Sequence, residues 1–194
     1  IATNAFKNCS TLTSLAIPPS LTTIEDDAFG GCSNMDSLFY NAKNVSRSNL
    51  TVPTYFRQMK LRHLTIGDSV QTLPNYIFHY LDSLVNVTIP NSVTSIGYEA
   101  FANCSSLTKI NIPYSVTSID RYAFVNCTNV DTLYFRAKNL TTTSDWYAPL
   151  YTSSGFRSMT LDTLVIGDSV QTIPAGAFYG QSTLAAVTIP ESVT

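Results

Sequence analysis

The apolar residues of this chain recur in one pattern, L-x-x-L-x-I, along its whole length; 12–17 and 161–166 are two copies. The last four positions of each copy alternate between polar and apolar side chains, which is the period of a half-buried β-strand. A second apolar pair follows, such as Val93 and Ile96, and then an Ala-Phe pair. Each copy therefore predicts one short strand, a turn and a second short apolar segment.

The pattern returns at a regular interval. Most of the spacings between successive starts are identical, and the other two are longer. The starts are Ala5, Ala28, Thr54, Ile77, Ala100, Ala123, Ser154 and Ala177. Thr54 and Ser154 lack the Ala-Phe pair, and we expect Phe56 and Phe156 to fill the aromatic position with a shift of one residue. One such unit cannot bury its own apolar face, so stacked copies must share a continuous core.

Two long repeats, 28–53 and 123–153, mark a higher-order unit, since the segment 64–74 recurs four repeats later as 164–174. Their extra residues, about 43–53 and 138–153, are predicted to be insertions. The second insertion contains Trp146, the single tryptophan of the chain. Two interpretations remain open, because aromatic residues in a loop can bind a ligand or can pack over the neighbouring coil.

The segment 100–113, Ala-Phe-Ala-Asn-Cys-Ser-Ser-Leu-Thr-Lys-Ile-Asn-Ile-Pro, resembles the units of the BspA-type (Treponema-type) leucine-rich repeats. The resemblance covers essentially the whole chain, and the usual unit of about 23 residues lies within the range of leucine-rich repeats. It implies a single leucine-rich-repeat solenoid of eight such units over 1–194. That solenoid would be a right-handed curved coil with a parallel β-sheet on its concave face, short strands and turns on its convex side and little helix.

Both ends of the chain cut through a repeat, since Ile1 matches Ile24 and Thr194 stops before the counterparts of Ser118 and Ile119. We therefore expect a longer natural protein that is truncated here at both ends. An uncapped coil has an unpaired sheet edge, so end-to-end self-association of the fragment is also expected.

Composition narrows the classes of partner. Charged residues are 12% of the chain, well below the usual level of about 25%. The net charge is −2 and the 11 basic residues are scattered, which argues against a nucleic-acid partner. No apolar run approaches the roughly 18 residues of a membrane helix, so direct membrane insertion is not expected. A surface rich in Ser, Thr and Asn favours an extracellular or cell-surface localisation.

Four cysteines stand four residues after a repeat start: Cys9, Cys32, Cys104 and Cys127. Neighbouring pairs could form disulfides or bind a metal, because stacked strands bring equivalent Cα atoms close together. A buried packing position is favoured, since Leu81 occupies the same phase and a free cysteine behaves as a small apolar residue. Gln58, Ser158 and Gln181 also occupy it. Zinc-type C-x-x-C spacing does not occur, and neither a metal nor a cofactor is predicted.

No catalytic constellation is predicted. His63 should point outward from its strand and His79 should lie on the turn after Phe78; both are interpreted as surface histidines without a catalytic partner. The two Gly-Asp-Ser triplets, 67–69 and 167–169, could suggest a hydrolase serine, but other repeats have Pro-Asn-Ser or Pro-Tyr-Ser there, which indicates a turn. Because no unique set of ionisable groups converges, the chain is not predicted to be an enzyme.

Seven Asn-x-Ser/Thr sequons occur, at Asn8, Asn44, Asn49, Asn86, Asn103, Asn126 and Asn139. Asn8, Asn103 and Asn126 share the phase just before cysteine, where we expect a structural turn. Glycosylation is the less favoured interpretation, because sequons also arise by repeat duplication in a chain rich in Asn, Ser and Thr.

The outward side of the predicted sheet is the favoured functional surface. Its side chains are Ser14, Ala16, Ser37, Phe39, His63, Thr65, Asn86, Thr88, Lys109, Asn111, Thr132, Tyr134, Thr163, Val165, Ala186 and Thr188. Phe39 and Tyr134 interrupt a background of Thr and Asn, and exposed aromatic residues are typical anchors of interfaces. They could equally pack against the insertions that follow them. The candidate ligand-binding residues are Phe39, His63, Asn86, Lys109, Asn111, Tyr134 and Trp146.

The resemblance implies adhesion. The leading hypothesis is therefore an extracellular or cell-surface module that binds host extracellular-matrix proteins, host-cell surface proteins or microbial surface ligands. The alternative is a structural spacer that holds another domain away from the cell surface, since near-identical repeats need no unique surface to fill that role.

Overall fold

The computed structural model describes residues 1–43, 45, 55–56, 59–140, 156 and 158–194. Within these ranges the chain is a β-solenoid of stacked parallel strands, as predicted, and no helix is present. No helix of the described residues is therefore long and apolar enough to cross a membrane. Most of both insertions, including Trp146, lies outside the described residues.

Two parallel sheets run along the solenoid. One has eight strands in the order β1-β2-β3-β5-β7-β9-β10-β11, and the other has three, β4-β6-β8. The strands of the described residues are β1 (Ser14–Ile17), β2 (Ser37–Tyr40), β3 (His63–Ile66), β4 (Thr72–Leu73), β5 (Asn86–Thr88), β6 (Ser95–Ile96), β7 (Lys109–Ile112), β8 (Ser118–Ile119), β9 (Thr132–Phe135), β10 (Thr163–Ile166) and β11 (Val187–Thr188).

The strand register reproduces the repeat spacing. Leu15 pairs with Leu38 across an ordinary repeat, and Leu38 pairs with Leu64 across the first long one. Leu133 pairs with Leu164 across the second long repeat, which has the longer insertion. A shift of one residue would turn every apolar side chain to the solvent, so the buried face holds the register. Both insertions are therefore accommodated between strands without changing the register.

A continuous column of phenylalanine rings runs through the core. Phe56 stacks between Phe29 and Phe78 at centroid distances of 5.9 and 6.1 Å. Phe156 stacks between Phe124 and Phe178 at 5.9 and 5.8 Å. The two atypical repeats thus supply their rings one residue late, as predicted, and the column is unbroken from Phe6 to Phe178. Stacked aromatic pairs add stability beyond the area that they bury.

Two residues in the left-handed conformation flank the phenylalanine in the coils of Phe6, Phe29, Phe78, Phe101, Phe124 and Phe178. In the repeat that starts at Ala100 these are Glu99 and Asn103, with φ of 50° and 61°. Asn8 and Asn126 have φ of 62° and 60°, which confirms the structural turn predicted at this phase. Asparagine is one of the few residues that adopt this conformation readily.

These turns extend the hydrogen bonding between coils. The N–H groups of Phe101 and Asn103 donate to the carbonyls of Ala123 and Val125, at 2.7 and 2.8 Å. Phe6 and Asn8 make the same bonds to Ala28 and Gly30. The buried backbone is therefore paired at the turn edge as well as in the two sheets.

Candidate functional site

The outward side of the eight-stranded sheet is a regular surface that extends over all eight strands. Along each strand the predicted outward positions are exposed or half-buried, and most of the side chains between them are buried. In β3, for example, Leu64 is 6% exposed while His63 and Thr65 on either side face the solvent. The prediction of which side chains form this surface is therefore confirmed in the strands of this sheet from β1 to β10, whereas in β11 both residues are exposed.

The first cluster on this surface lies across β2, β3 and β5. Phe39 is 42% exposed, and its cross-strand neighbour is Thr65. Arg62 Nε donates to Asp36 Oδ1 at 2.7 Å, and His63 Nε2 lies 3.9 Å from Asp36 Oδ2. The bond to Asp36 raises the pKa of the Arg62 guanidinium. Asp36 therefore offsets the positive charge of Arg62 in this cluster.

A shallow depression of about 440 Å³ lies beside these side chains on the same face. Arg62, His63 and Asn86 supply its polar groups, and Val85, which is 40% exposed, supplies an apolar patch. It is an open, mixed surface of the kind found at interfaces. Two of the candidate residues, His63 and Asn86, are brought together here.

The second cluster lies across β7 and β9. Lys109 Nζ is 4.5 Å from the centroid of the Tyr134 ring, and Arg136 Cζ is 5.5 Å from it. Asn111 is the cross-strand neighbour of Tyr134. In the described part of the chain no carboxylate forms a salt bridge with Lys109 or Arg136. The sequence singled out Lys109, Asn111 and Tyr134 separately, and the structure makes them one patch.

Sequence reasoning missed three charged residues of these clusters, although a signal for each was present. Asp36 and Arg62 occupy the same repeat position, immediately before β2 and β3, and their opposite charges predict an ion pair once the strands are in register. Arg136 follows Tyr134 by two residues, so the period of a strand places both on one face. Trp146, the remaining candidate, lies outside the described residues.

The expectation that His79 is a surface histidine is wrong. Its side chain is only 7% exposed, and Nε2 lies 3.3 Å from Glu99 Oε2. The ring packs edge to face against Tyr76 and Tyr80, with centroids 5.5 and 4.1 Å away. The turn after Phe78 folds back against the core, since the equivalent residue of the next coil, Ala102, is fully buried. His63, by contrast, points outward as predicted.

The four cysteines are free thiols, three of them buried. Each buried thiol donates to the carbonyl of the phenylalanine in the preceding coil; Cys104 Sγ, for example, lies 3.2 Å from Phe78 O. Gln181 makes the equivalent bond to Phe156 O at 3.0 Å. Burial raises the pKa of Cys104 and raises that of Cys127 to about 12. The side chain at the cysteine position therefore packs in the core and donates a hydrogen bond to the preceding coil. The disulfide alternative does not describe this structure.

The two Gly-Asp-Ser triplets are turns after β3 and β10. Ser69 N donates to Asn41 Oδ1 at 3.0 Å, and Ser169 Oγ donates to Arg136 O at 2.7 Å. Ser169 thus uses its hydroxyl to hold two coils together, which confirms the turn interpretation. Among the described residues, no group of three or more His, Cys, Asp or Glu side chains could hold a metal ion.

With this geometry established, comparison with known families identifies the class of protein. The model of the BspA type leucine rich repeat region matches in six copies, over residues 1–49, 51–148 and 151–194. The chain therefore belongs to the BspA-type leucine-rich-repeat family. A search of curated proteins found no match.

Solved structures with the same fold come from bacteria. A leucine-rich repeat protein of Bacteroides ovatus is 21% identical with a TM-score of 0.63, covering 83% of this chain and 44% of that one. A leucine rich cell surface protein of Faecalibacterium prausnitzii is 26% identical with a TM-score of 0.53, covering 74% and 36%. The T. pallidum leucine rich repeat protein is 20% identical with a TM-score of 0.57, covering 90% and 87%. This chain spans less than half the length of the first two.

Proposed function

We propose that this chain is a protein-binding or adhesion module that acts outside the cell or at its surface, without catalytic activity. The observation that carries the proposal is the outward face of the eight-stranded sheet. There Phe39 is 42% exposed, and the ring of Tyr134 lies 4.5 and 5.5 Å from two cations, on strands that hold their register across both insertions. Host extracellular-matrix proteins, host-cell surface proteins or microbial surface ligands are the proposed partners.

Physical chemistry supports a binding role for this face. Aromatic and arginine side chains supply most of the binding energy in protein interfaces. A hydrogen-bonded sheet holds such side chains in place before the partner arrives, which lowers the entropic cost of association. The proposed localisation is supported by the family and by the F. prausnitzii relative, which is described as a cell surface protein.

A binding panel tests the proposal. The wild-type chain and a Phe39→Ala/Tyr134→Ala variant would be measured against purified matrix proteins and cell-surface extracts. Tyr114→Ala/Tyr179→Ala is the matched control, because these tyrosines are 57% and 55% exposed but lie outside the sheet. We expect a ligand whose affinity falls at least about tenfold in the first variant and is unchanged in the control. Equal loss in both variants would contradict recognition through the sheet.

The alternative function is a structural spacer, and the regular register of the coils favours it. A spacer needs only a stiff stack of repeats, and its outward side chains are free to vary. If neither variant nor wild type binds any protein on the panel while all remain folded, the spacer becomes the better account.

We also propose that the fragment 1–194 self-associates end to end, as a property of this fragment and not as its function. In the last coil Val187 and Ile189 are 45% and 59% exposed, and β11 has a neighbour on one side only. Sedimentation at increasing protein concentration tests this, and a Val187→Lys/Ile189→Lys variant should stay monomeric because charge blocks edge pairing. A wild type that remains monomeric throughout would contradict it.

A further inference from the structure

The second cluster of the outward sheet face contains two cations, Lys109 and Arg136, in a chain whose net charge is −2. Arg62 is neutralised by Asp36 at 2.7 Å, but no carboxylate of residues 1–43, 59–140 or 158–194 forms such a pair with the second cluster. Lys109 and Arg136 both contact the ring of Tyr134, and within the described ranges neither forms a salt bridge to a carboxylate. Two cations that share one aromatic ring and form no salt bridge with a carboxylate of the described residues favour an anionic ligand.

The surroundings of this pair narrow the kind of anion. The register places Asn111, Tyr134 and Val165 side by side on three adjacent strands. An amide and an exposed apolar side chain therefore flank the Tyr134 ring that the two cations contact. The next outward positions, Thr132 and Thr163, are neutral. A sulfated polysaccharide has charge at every unit and is best matched by a longer row of cations. Two cations beside apolar and hydrogen-bonding groups better match carboxylates interspersed with apolar side chains.

We infer that the patch of Lys109, Tyr134 and Arg136 binds an acidic segment of a partner polypeptide, with carboxylates on the two cations and an apolar side chain against Tyr134 and Val165. This inference rests on the proposed binding function and names the chemistry of the partner. Charge-assisted bonds to carboxylates are stronger than neutral ones, and unpaired surface charges steer association.

The test uses the full chain and a short labelled peptide of repeated Glu-Leu-Gly, with the Gln-Leu-Gly peptide as its uncharged counterpart. Fluorescence anisotropy measures binding at low and high ionic strength. The variant is Lys109→Gln/Arg136→Gln. Its matched control is Lys7→Gln/Arg121→Gln, which removes one lysine and one arginine away from the sheet. All four altered side chains are exposed or partly exposed, so unfolding midpoints are expected to match the wild type.

We expect the Glu peptide to bind and the Gln peptide to bind at least about tenfold more weakly, with affinity falling as salt rises. Lys109→Gln/Arg136→Gln should lose at least about tenfold for the Glu peptide, and the control should not. Equal binding of both peptides, no binding of the Glu peptide, or equal loss in the two variants would overturn the inference. So would binding of a heparin oligosaccharide, lost in the same variant, without binding of the Glu peptide.

The failure of this inference is distinguishable from failure of the proposed function. Some protein ligands on the panel could depend on Phe39 and Tyr134 but not on Lys109 and Arg136. That result would support the proposed binding function and contradict the inference of an acidic partner. Absence of every protein ligand would reject the module itself.

Discussion

The phenylalanine column and the outward sheet face pass through the same coils but tolerate change very differently. Each ring of the column lies 5.2 to 6.1 Å from its neighbours, and even the two atypical repeats, which start at Thr54 and Ser154, keep a phenylalanine there. At the outward position of Phe39, other coils have Ala16, Thr65, Thr88 and Val165. The column residues are constrained by the rings on either side of them. The outward residues are constrained only by the alternation of polar and apolar side chains along a strand.

This contrast shows which residues can differ between coils without loss of stability. A column residue must fit the rings above and below, so a change in one coil is felt in both neighbours. An outward side chain contacts solvent and one or two cross-strand neighbours. Specificity is therefore expected on the sheet face and stability in the column.

The largest effect is expected from breaking the column. Phe101 is fully buried, 5.3 Å from Phe78 and 5.2 Å from Phe124, so Phe101→Ala should lower the free energy of unfolding by about 3–5 kcal/mol. Phe39→Ala is the matched control and should lower it by less than about 1 kcal/mol, because its ring is largely outside the core. Chemical denaturation measures both. Similar losses in the two variants would remove the distinction between column and face.

The turn beside the column is expected to depend on a left-handed residue. Asn103 has φ of 61°, and its Oδ1 accepts a bond from Asn126 Nδ2 at 3.0 Å. Asn103→Ala and Asn103→Gly both lose this bond, but only alanine has a β-carbon that is strained at this φ. The glycine variant should therefore be more stable than the alanine variant by about 1 kcal/mol. Equal unfolding midpoints would show that the turn relaxes at no cost.

The buried thiols should make stability depend on alkaline pH. An exposed thiol ionises near pH 8.5, whereas burial raises the pKa of Cys127 to about 12. Between these values the unfolded chain releases a proton that the native chain retains, so the free energy of unfolding falls as pH rises. The slope is up to about 1.4 kcal/mol per pH unit for this one thiol.

Cys127→Ser provides the comparison for that measurement, because serine does not ionise in this range and its hydroxyl can still donate to Phe101 O. Urea denaturation from neutral to alkaline pH should give a shallower decline for the variant than for the wild type. Identical slopes would show that the Cys127 thiol is no less ionisable in the native state than in the unfolded chain.

The smallest effect is expected on the outward face. Val165 is 37% exposed, and the equivalent position is threonine in other coils. Val165→Thr should therefore change the free energy of unfolding by less than about 0.5 kcal/mol. Val116→Thr is the same substitution at a fully buried site and should cost about 1–3 kcal/mol, since its hydroxyl is desolvated. Thermal unfolding of the pair measures the difference. A larger loss at Val165 would show that the face contributes to folding.

Much of the fold could be predicted because the repeat supplies its own alignment. Once equivalent positions are known, stacking brings Leu15 beside Leu38 and Leu38 beside Leu64, and the period of the strand separates buried from outward side chains. Phe56 and Phe156 were predictable for the same reason, since a column with a missing ring would leave a cavity. The burial of His79 was not predictable, because a turn residue can face the solvent or fold onto the neighbouring coil.

By itself, the sequence determined the class of fold, the register of the strands, the turns at Asn8, Asn103 and Asn126, and the set of outward side chains. These follow from local periodicity and from the need of each coil to bury one face against an equivalent coil. Only the tertiary structure decided which outward side chains meet. Repeat position brings Asp36 near Arg62, and strand period brings Arg136 near Tyr134. Whether these long side chains touch depends on their directions, which a repeat pattern leaves undetermined.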